Sequence, residues 1–354
     1  MCAHDLAIEC VGDLPCIARI DQFVATPRSP QLGGRLVRVA TLRDDAAYSV
    51  ANVGISRRRP EWCDFVAGAD RVTAFGAHLG ADSAYSVNER SAWVLRRGED
   101  VLIIVPRSPG DTAERLPLRL CREIMLRHEE GQGRFPMHAA CVASNGKAVA
   151  ILGPSGSGKT TLAMALILQC GLDFVGNDYL FIDGESLRVA ALPLPVRFGA
   201  GTLEAPELRS LRARAGPPRR GAIDTGDRRP ASAWGSSLKF EVAPKQLVAS
   251  LGRTLVPEAK LKLAILADLR PGAQELTMTR LTIQRASKQF EEQFTNVGAF
   301  WKRPWLEAAR SESISGADRR VLARRLARRV PTYRLAAAPV HLRGLALGPL
   351  LARL

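Results

Sequence analysis

Gly153-Pro154-Ser155-Gly156-Ser157-Gly158-Lys159-Thr160 fits the spacing GxxxxGK[ST] at every fixed position. Glycines at that spacing let a backbone wrap a phosphate chain with its N–H groups pointing inward, and the helix that follows adds the positive end of its dipole. A lysine in the place of Lys159 reaches the β- and γ-phosphates, and a hydroxyl in the place of Thr160 can ligate Mg²⁺. Pro154, Ser155, Ser157 and Thr161 complete the expected nucleotide-binding set, and ATP and Mg²⁺ are the expected cofactors. The alternative, a chance glycine-rich turn, would not also supply both flanks. GKAVAILG (146–153) reads as a short buried strand and TTLAMALILQ (160–169) as an apolar helix without interrupting charges, which is the context the spacing requires.

Bound Mg·NTP also needs a carboxylate near the metal, and three stand at the ends of predicted strands: Asp178, Asp183 and Asp268. Asp268 ends LAILAD, an apolar run followed by Asp of the kind called Walker B. Asp183 ends LFID, but Gly184 follows at once, so a turn explains it as well as a ligand does. Asp178 falls where the chain returns to the sheet after one helix. Spacing alone does not choose between Asp178 and Asp268.

The elements that must position these residues alternate. After the 160–169 helix come DFVGND (173–178), YLFID (179–183) and ALPLPVRFG (191–199), and later LKLAILADL (261–269), ended by Arg270-Pro271-Gly272. Strands alternating with helices indicate an α/β core. Residues 1–135 read as a separate α+β domain, suited to substrate recognition or oligomerisation. SAWVL (91–95) and VLIIV (101–105) form a hairpin or neighbouring strands, and a helix over Leu118–His128 ends at Gly131-Gln132-Gly133. Residues 136–354 form the nucleotide-binding domain. Within it, Arg209 to Pro230 reads as a mobile Pro/Gly/Arg-rich loop with almost no apolar anchor. A helical stretch follows near 284–297, and then the basic helix ADRRVLARRLARRV (317–330). In that last helix Leu322, Leu326 and Val330 line one stripe, and six arginines cover the rest. Such a face is either solvated or a contact surface for phosphates or an acidic partner.

At roughly 150 residues per domain, 354 residues suit about two domains, and 46% apolar residues can fill both cores. Fifty Lys+Arg against 35 Asp+Glu give a net charge of +15, which raises the question of a nucleic-acid or anionic-membrane partner. GC-rich coding also yields such an arginine excess without any function. No nucleic-acid module, aromatic-rich basic strand or zinc knuckle is recognisable, and aromatics are only 6% of the chain, so a nucleic-acid partner is not expected. Cys2, Cys10, Cys16, Cys63, Cys121, Cys141 and Cys170 form no CxxC pair and no zinc-spaced cluster, and read as reduced thiols of a cytoplasmic protein. Asp5, Glu9 and Asp13 interrupt any secretory signal, and no run approaches 18 uncharged apolar residues. Neither export nor membrane spanning is expected.

The segment MHAACVASNGKAVAILGPSGSGKTTLAMALILQCGLDFVGNDYLFID (137–183) resembles the catalytic core of the HPr kinase/phosphorylase family. It is also similar to the HPr-kinase-like proteins of peptide-tailoring systems such as those of lasso peptides. In that family a His precedes the strand that enters the P-loop and an Asp-Asp pair follows the P-loop helix. His138 and Asn177-Asp178 occupy those places. The resemblance implies an α/β P-loop kinase core, also related to phosphoenolpyruvate carboxykinase. It implies phosphate transfer from ATP, with Mg²⁺, to a serine hydroxyl of a peptide or protein. Asp178 would be the proton acceptor, with Lys159, His138 and Arg197 as further catalytic residues. Two departures stand out. Asn177 replaces the first Asp, and Pro195-Val196-Arg197-Phe198-Gly199-Ala200-Gly201 lacks the family's Glu. His138 taken alone would read as a structural hydrogen-bonding residue.

Two other functions compete. One is a small-molecule kinase on the same core, and the other is a nucleotide-dependent switch or nucleic-acid-acting NTPase with Asp268 as its Walker B carboxylate. The acceptor and the oligomeric state, a homo-oligomer included, stay open at this level.

Overall fold

The computed structural model describes residues 2–3, 6–12, 35–56, 61–67, 70–79, 82–87, 92–98, 100–109, 111–192, 194–215, 219–220, 238–295 and 316–342. These fall into two units, one up to Gln132 and one from Gly133. The protein is mixed α/β, with several sheets and helices.

The first unit contains β1 (Cys2–Ala3), β2 (Leu6–Val11), β3 (Arg35–Arg43), α1 (Asp45–Ser56), β4 (Glu61–Ala67), β5 (Asp70–Leu79), β6 (Asp82–Val87), β7 (Ala92–Arg97), β8 (Asp100–Val105) and α2 (Asp111–Gly131). Its strands form one sheet in the order β1-β2-β3-β8-β7-β6-β5-β4. β2, β3 and β8 are parallel, and β7 and β8 form the expected hairpin, with Arg97 opposite Asp100. Alternation places Val37, Val39, Val101, Ile103 and Val105 inside, as a period of two requires. α1 packs on Trp93 and Ile104 through Ala47, Tyr48 and Ala51. Cys10 and Cys121 bring their Sγ atoms to 3.4 Å, a hydrogen-bonded thiol pair rather than a disulfide.

The second unit contains β9 (Arg134–Met137), β10 (Ala140–Ser144), β11 (Lys147–Leu152), α3 (Lys159–Cys170), β12 (Asp173–Gly176), β13 (Leu180–Asp183), β14 (Arg188–Ala191), β15 (Val196–Gly199), α4 (Arg209–Arg214), β16 (Arg219–Arg220), β17 (Leu238–Val242), α5 (Pro244–Leu251), β18 (Glu258–Leu269), β19 (Thr277–Arg280), α6 (Ile283–Gln293), α7 (Gly316–Arg329) and β20 (Thr332–Ala337). The main sheet runs β12-β10-β11-β18-β14-β13-β9, with β20 also on β18 and β19 on β20. β18 is long enough to pair β14 near its start and β20 near its end, while β11 runs parallel along its other edge.

Side chains alternate across this sheet. Val142, Val149, Ile151 and Ile265 face α3, whose Leu162, Met164, Leu166 and Ile167 are buried. Cys141, Ala148, Ala150 and Leu152 face α6 and α7 through Phe290, Leu322, Ala323 and Leu326. The second unit is therefore layered helix, sheet, helix. A smaller sheet, β15-β17-β16, stands apart from the main one.

The second unit begins at Gly133, and β9 starts at Arg134 and pairs with β13. Two expectations are corrected. The 209–230 segment is not a loop throughout. Residues 209–214 form α4, anchored by the fully buried Leu211, and Arg219–Arg220 pair with β17. Its remainder at 216–218 and 221–230 lies outside the described residues. The helix near 284–297 stops at Gln293, where Phe294 turns extended and bridges to Met137. Among the described residues no helix is long and apolar enough to cross a membrane.

Candidate functional site

β11 runs straight into the glycine-rich loop, and α3 leaves it at Lys159. Two glycines are required by space as well as by backbone angle. Gly153 sits at φ 139°, and a Cβ there would lie 3.0 Å from the Ala267 carbonyl oxygen. Gly158 sits at φ 93°, where a Cβ would meet the Leu269 side chain at 2.5 Å. No side chain caps α3, so its first-turn N–H groups stay available to an anion. The loop is tied to the sheet by the Leu269 N–H, which donates to the Ser157 carbonyl at 3.0 Å. Pro154, Ser155 and Gly156 form its exposed crest.

Lys159 is buried and donates from Nζ to the carbonyls of Gly153 (2.7 Å) and Pro154 (3.1 Å). Burial lowers its pKa to about 8, helped by the Lys239 charge and opposed by Asp178. The Thr160 hydroxyl donates to Asn177 Oδ1 at 3.2 Å. The Thr161 hydroxyl is engaged by that of Thr202 at 2.8 Å, which leaves its backbone as the part that can meet a phosphate.

Asp178 follows β12 in a strained turn. Its φ is 73°, and the Tyr179 N–H donates to the Asn177 carbonyl at 3.0 Å, the pattern of the rarer form of γ-turn. Such strain at a polar residue is characteristic of functional positions. His138 Nε2 stands 3.9 Å from Asp178 Oδ1. Burial lowers the His138 pKa, with Lys159 adding to the effect and Asp178 opposing it, so the ring is mostly neutral near pH 7. The loop, His138, Asn177 and Asp178 are thus gathered at one end of the sheet.

No protein-family model matches the chain, and no curated protein matches it. The site's chemistry therefore rests on its own residues.

Three contributors left no mark as motifs. Gln293, the last residue of α6, is buried, and with its amide turned over, the orientation that satisfies both of its ends, the side-chain nitrogen donates to the carbonyls of Gly153 (2.8 Å) and His138 (3.0 Å). Its own carbonyl accepts from the His138 N–H at 2.8 Å. Thr202 holds Thr161. Lys239, on β17 opposite Gly199, feels the Asp178 carboxylate, and its pKa is lowered by burial, with Arg197 contributing and Asp178 opposing. Strand alternation in LKFEV could have put Lys239 and Glu241 on one face, but not that face toward the loop. Arg197 is exposed and pairs with Glu241 at 3.1 Å, and its charge is felt by Lys239.

Asp268 is paired within the sheet. Its carboxylate accepts from Arg270 Nε at 2.8 Å and from Arg334 Nε at 3.1 Å, and Arg334 adds a second bond. Partial burial alone would raise its pKa, but the Arg334 and Arg270 hydrogen bonds outweigh that and hold it below the usual carboxylate range. A carboxylate clamped by two guanidiniums has its charge already matched, which makes Asp268 a poorer metal ligand than Asp178. Asp183 accepts from the Glu185 and Ser186 N–H groups, so it shapes a turn.

Among the described residues no group of three or more His, Cys, Asp or Glu is placed to hold a metal. Nucleotide-bound Mg²⁺ needs no such cage, because it keeps phosphate oxygens and waters and takes one or two protein oxygens. Thr160 Oγ1, Asn177 Oδ1 and the Asp178 carboxylate offer hard oxygens suited to it. Ser157 Oγ and Asn177 Nδ2 are buried without a hydrogen-bond partner, which is costly unless a ligand supplies one. These donors fit Mg·ATP.

Proposed function

We propose that the chain is an ATP- and Mg²⁺-dependent kinase of the HPr-kinase-like type that phosphorylates a serine or threonine hydroxyl of a peptide or protein. The observation that carries this reading is the Asp178 carboxylate, held in a strained turn beside the glycine-rich loop and its buried lysine, with no guanidinium bonded to it among the described residues. Thr160, Asn177 and Asp178 would hold Mg²⁺, which would offset the charge of the phosphates. The loop N–H groups and Lys159 bind the phosphates and fix the γ-phosphorus for in-line attack. The acceptor oxygen forms the new O–P bond as the bond to the β-phosphate oxygen breaks, and ADP leaves. Asp178 takes the hydroxyl proton, late in the transfer because the hydroxyl pKa is far above that of a carboxylate. Lys159 and Lys239 neutralise charge on the moving group. Neutral His138 flanks Asp178 without binding up its charge.

The test is transfer from γ-labelled ATP by the full chain to pools of serine-containing peptides and, separately, of hydroxylated metabolites. Peptide labelling that is acid-stable and alkali-labile supports the proposal. Labelling of metabolites alone would make it a small-molecule kinase. ATP hydrolysis that no acceptor redirects would make it an NTPase.

A further inference from the structure

We propose that the arginine-lined groove on α7 docks an extended acidic segment of a partner polypeptide, a role that does not depend on the chemistry at the glycine-rich loop. The groove has a volume of about 650 Å³ and is lined by Arg324, Arg325, Arg328, Arg329, Val321 and Glu185. Leu322, Ala323, Leu326 and Ala327 bury the other side of α7, so the apolar packing of the helix makes no use of Arg324, Arg328 and Arg329. Arg325 donates to the Gly184 carbonyl at 2.8 Å, which closes one wall against the β13–β14 turn. Among the described residues none of the four guanidiniums forms an ion pair with a carboxylate. Arg324/Arg328 and Arg325/Arg329 are like-charge pairs at i,i+4, which weaken a helix unless an anion joins them. The helix dipole favours cations only in the last turn, and so does not account for Arg324 and Arg325.

The chemistry of the lining selects among anions. Guanidiniums bind carboxylates in forked pairs. Along one helix row they repeat every ~6 Å, and alternate side chains of an extended peptide repeat every ~6.6 Å, so carboxylates at every second residue match the row. Val321 is 59% exposed and offers an apolar contact to a side chain between them. A nucleic acid is a poorer match, because the lining has no aromatic side chain on which a base could stack.

The probe is a fluorescein-labelled peptide of alternating Glu and Val, titrated with the full chain by anisotropy. We expect binding that weakens with salt, roughly tenfold or greater loss in Arg324→Gln/Arg328→Gln, and tighter binding in Glu185→Ala. Arg325 is left intact because it supports the groove wall, and an unchanged melting temperature shows that the double variant folds. Lys159→Ala should bind the peptide as the wild type does, which separates this surface from the nucleotide site. The proposal is overturned if the peptide does not bind, if the double variant binds it equally, or if oligouridine or inorganic polyphosphate binds more tightly than the peptide.

Discussion

Asp178 and Asp268 both stand at strand ends near one glycine-rich loop, and by sequence they compete for one role. Asp268 ends β18, a regular strand, and two arginines share its carboxylate. Asp178 follows β12 in a left-handed turn, 3.9 Å from His138 Nε2, and among the described residues no guanidinium is bonded to its carboxylate. An acid is free to take up a proton or bind a metal only where its surroundings have not already matched its charge. An apolar run followed by Asp identifies a strand end without saying which of these conditions holds.

The largest effect expected is from Lys159→Ala, which should abolish phosphate transfer with little loss of fold, since Nζ serves loop carbonyls and phosphate rather than the core. Circular dichroism and a transfer assay together check this. Asp178→Asn should lower kcat by about 10²–10⁴-fold, the usual contribution of a proton-transfer group, with ATP affinity within a few fold. Asp268→Asn should leave transfer within a few fold and lower stability by about 1 kcal/mol, because its exposed arginine partners are screened by solvent. A dead Asp268→Asn with an active Asp178→Asn would reverse the assignment.

The acid limb of that stability difference has a definite sign. The folded-state pKa of Asp268 is depressed, so the wild-type advantage over Asp268→Asn is present above the ordinary carboxylate pKa and is lost as pH falls through the depressed one. Denaturant melts from neutral to acid pH would show the two proteins converging. A smaller effect belongs to Lys159. With its pKa near 8, nucleotide affinity should weaken as pH rises through about 8, where the free protein begins to lose the cation that the phosphates need. In Lys159→Met that component of the slope should vanish, as calorimetric titrations would show. Least of all should be reverse chemistry. Asn177 already accepts from Thr160 through its oxygen and cannot exchange a proton near neutral pH, so incubation of phosphorylated product with inorganic phosphate and Mg²⁺ should release almost no pyrophosphate.

Much of this could be read from the chain, because local signals carry it. The strand, loop and helix over 146–169 follow from apolar runs around glycines, and the buried stripe of Leu322, Leu326 and Val330 follows from helical spacing. What could not be read depends on partners distant in sequence. Arg334 reaches Asp268 because β20 and β18 are parallel neighbours, and Gln293 meets Gly153 because α6 ends under the loop. Leu211 anchors a stretch that its composition of arginine, proline and glycine made look unstructured. The strain at Asp178 comes from a turn that no residue type there demands.

The Gln293 amide also sets the order in which the site can come into being. The glycine-rich motif is made early on the ribosome, but β18, the parallel neighbour of its strand, and Gln293, which fixes its first carbonyl, are translated long afterwards. Contacts so far apart along the chain form slowly. A nascent chain that has just completed α3 carries the whole motif and yet has no β18 to brace the loop and no amide to hold Gly153. On the proposed function, nucleotide capture would therefore belong to the finished polypeptide, and a fragment ending before α6 would keep the motif without the braced loop.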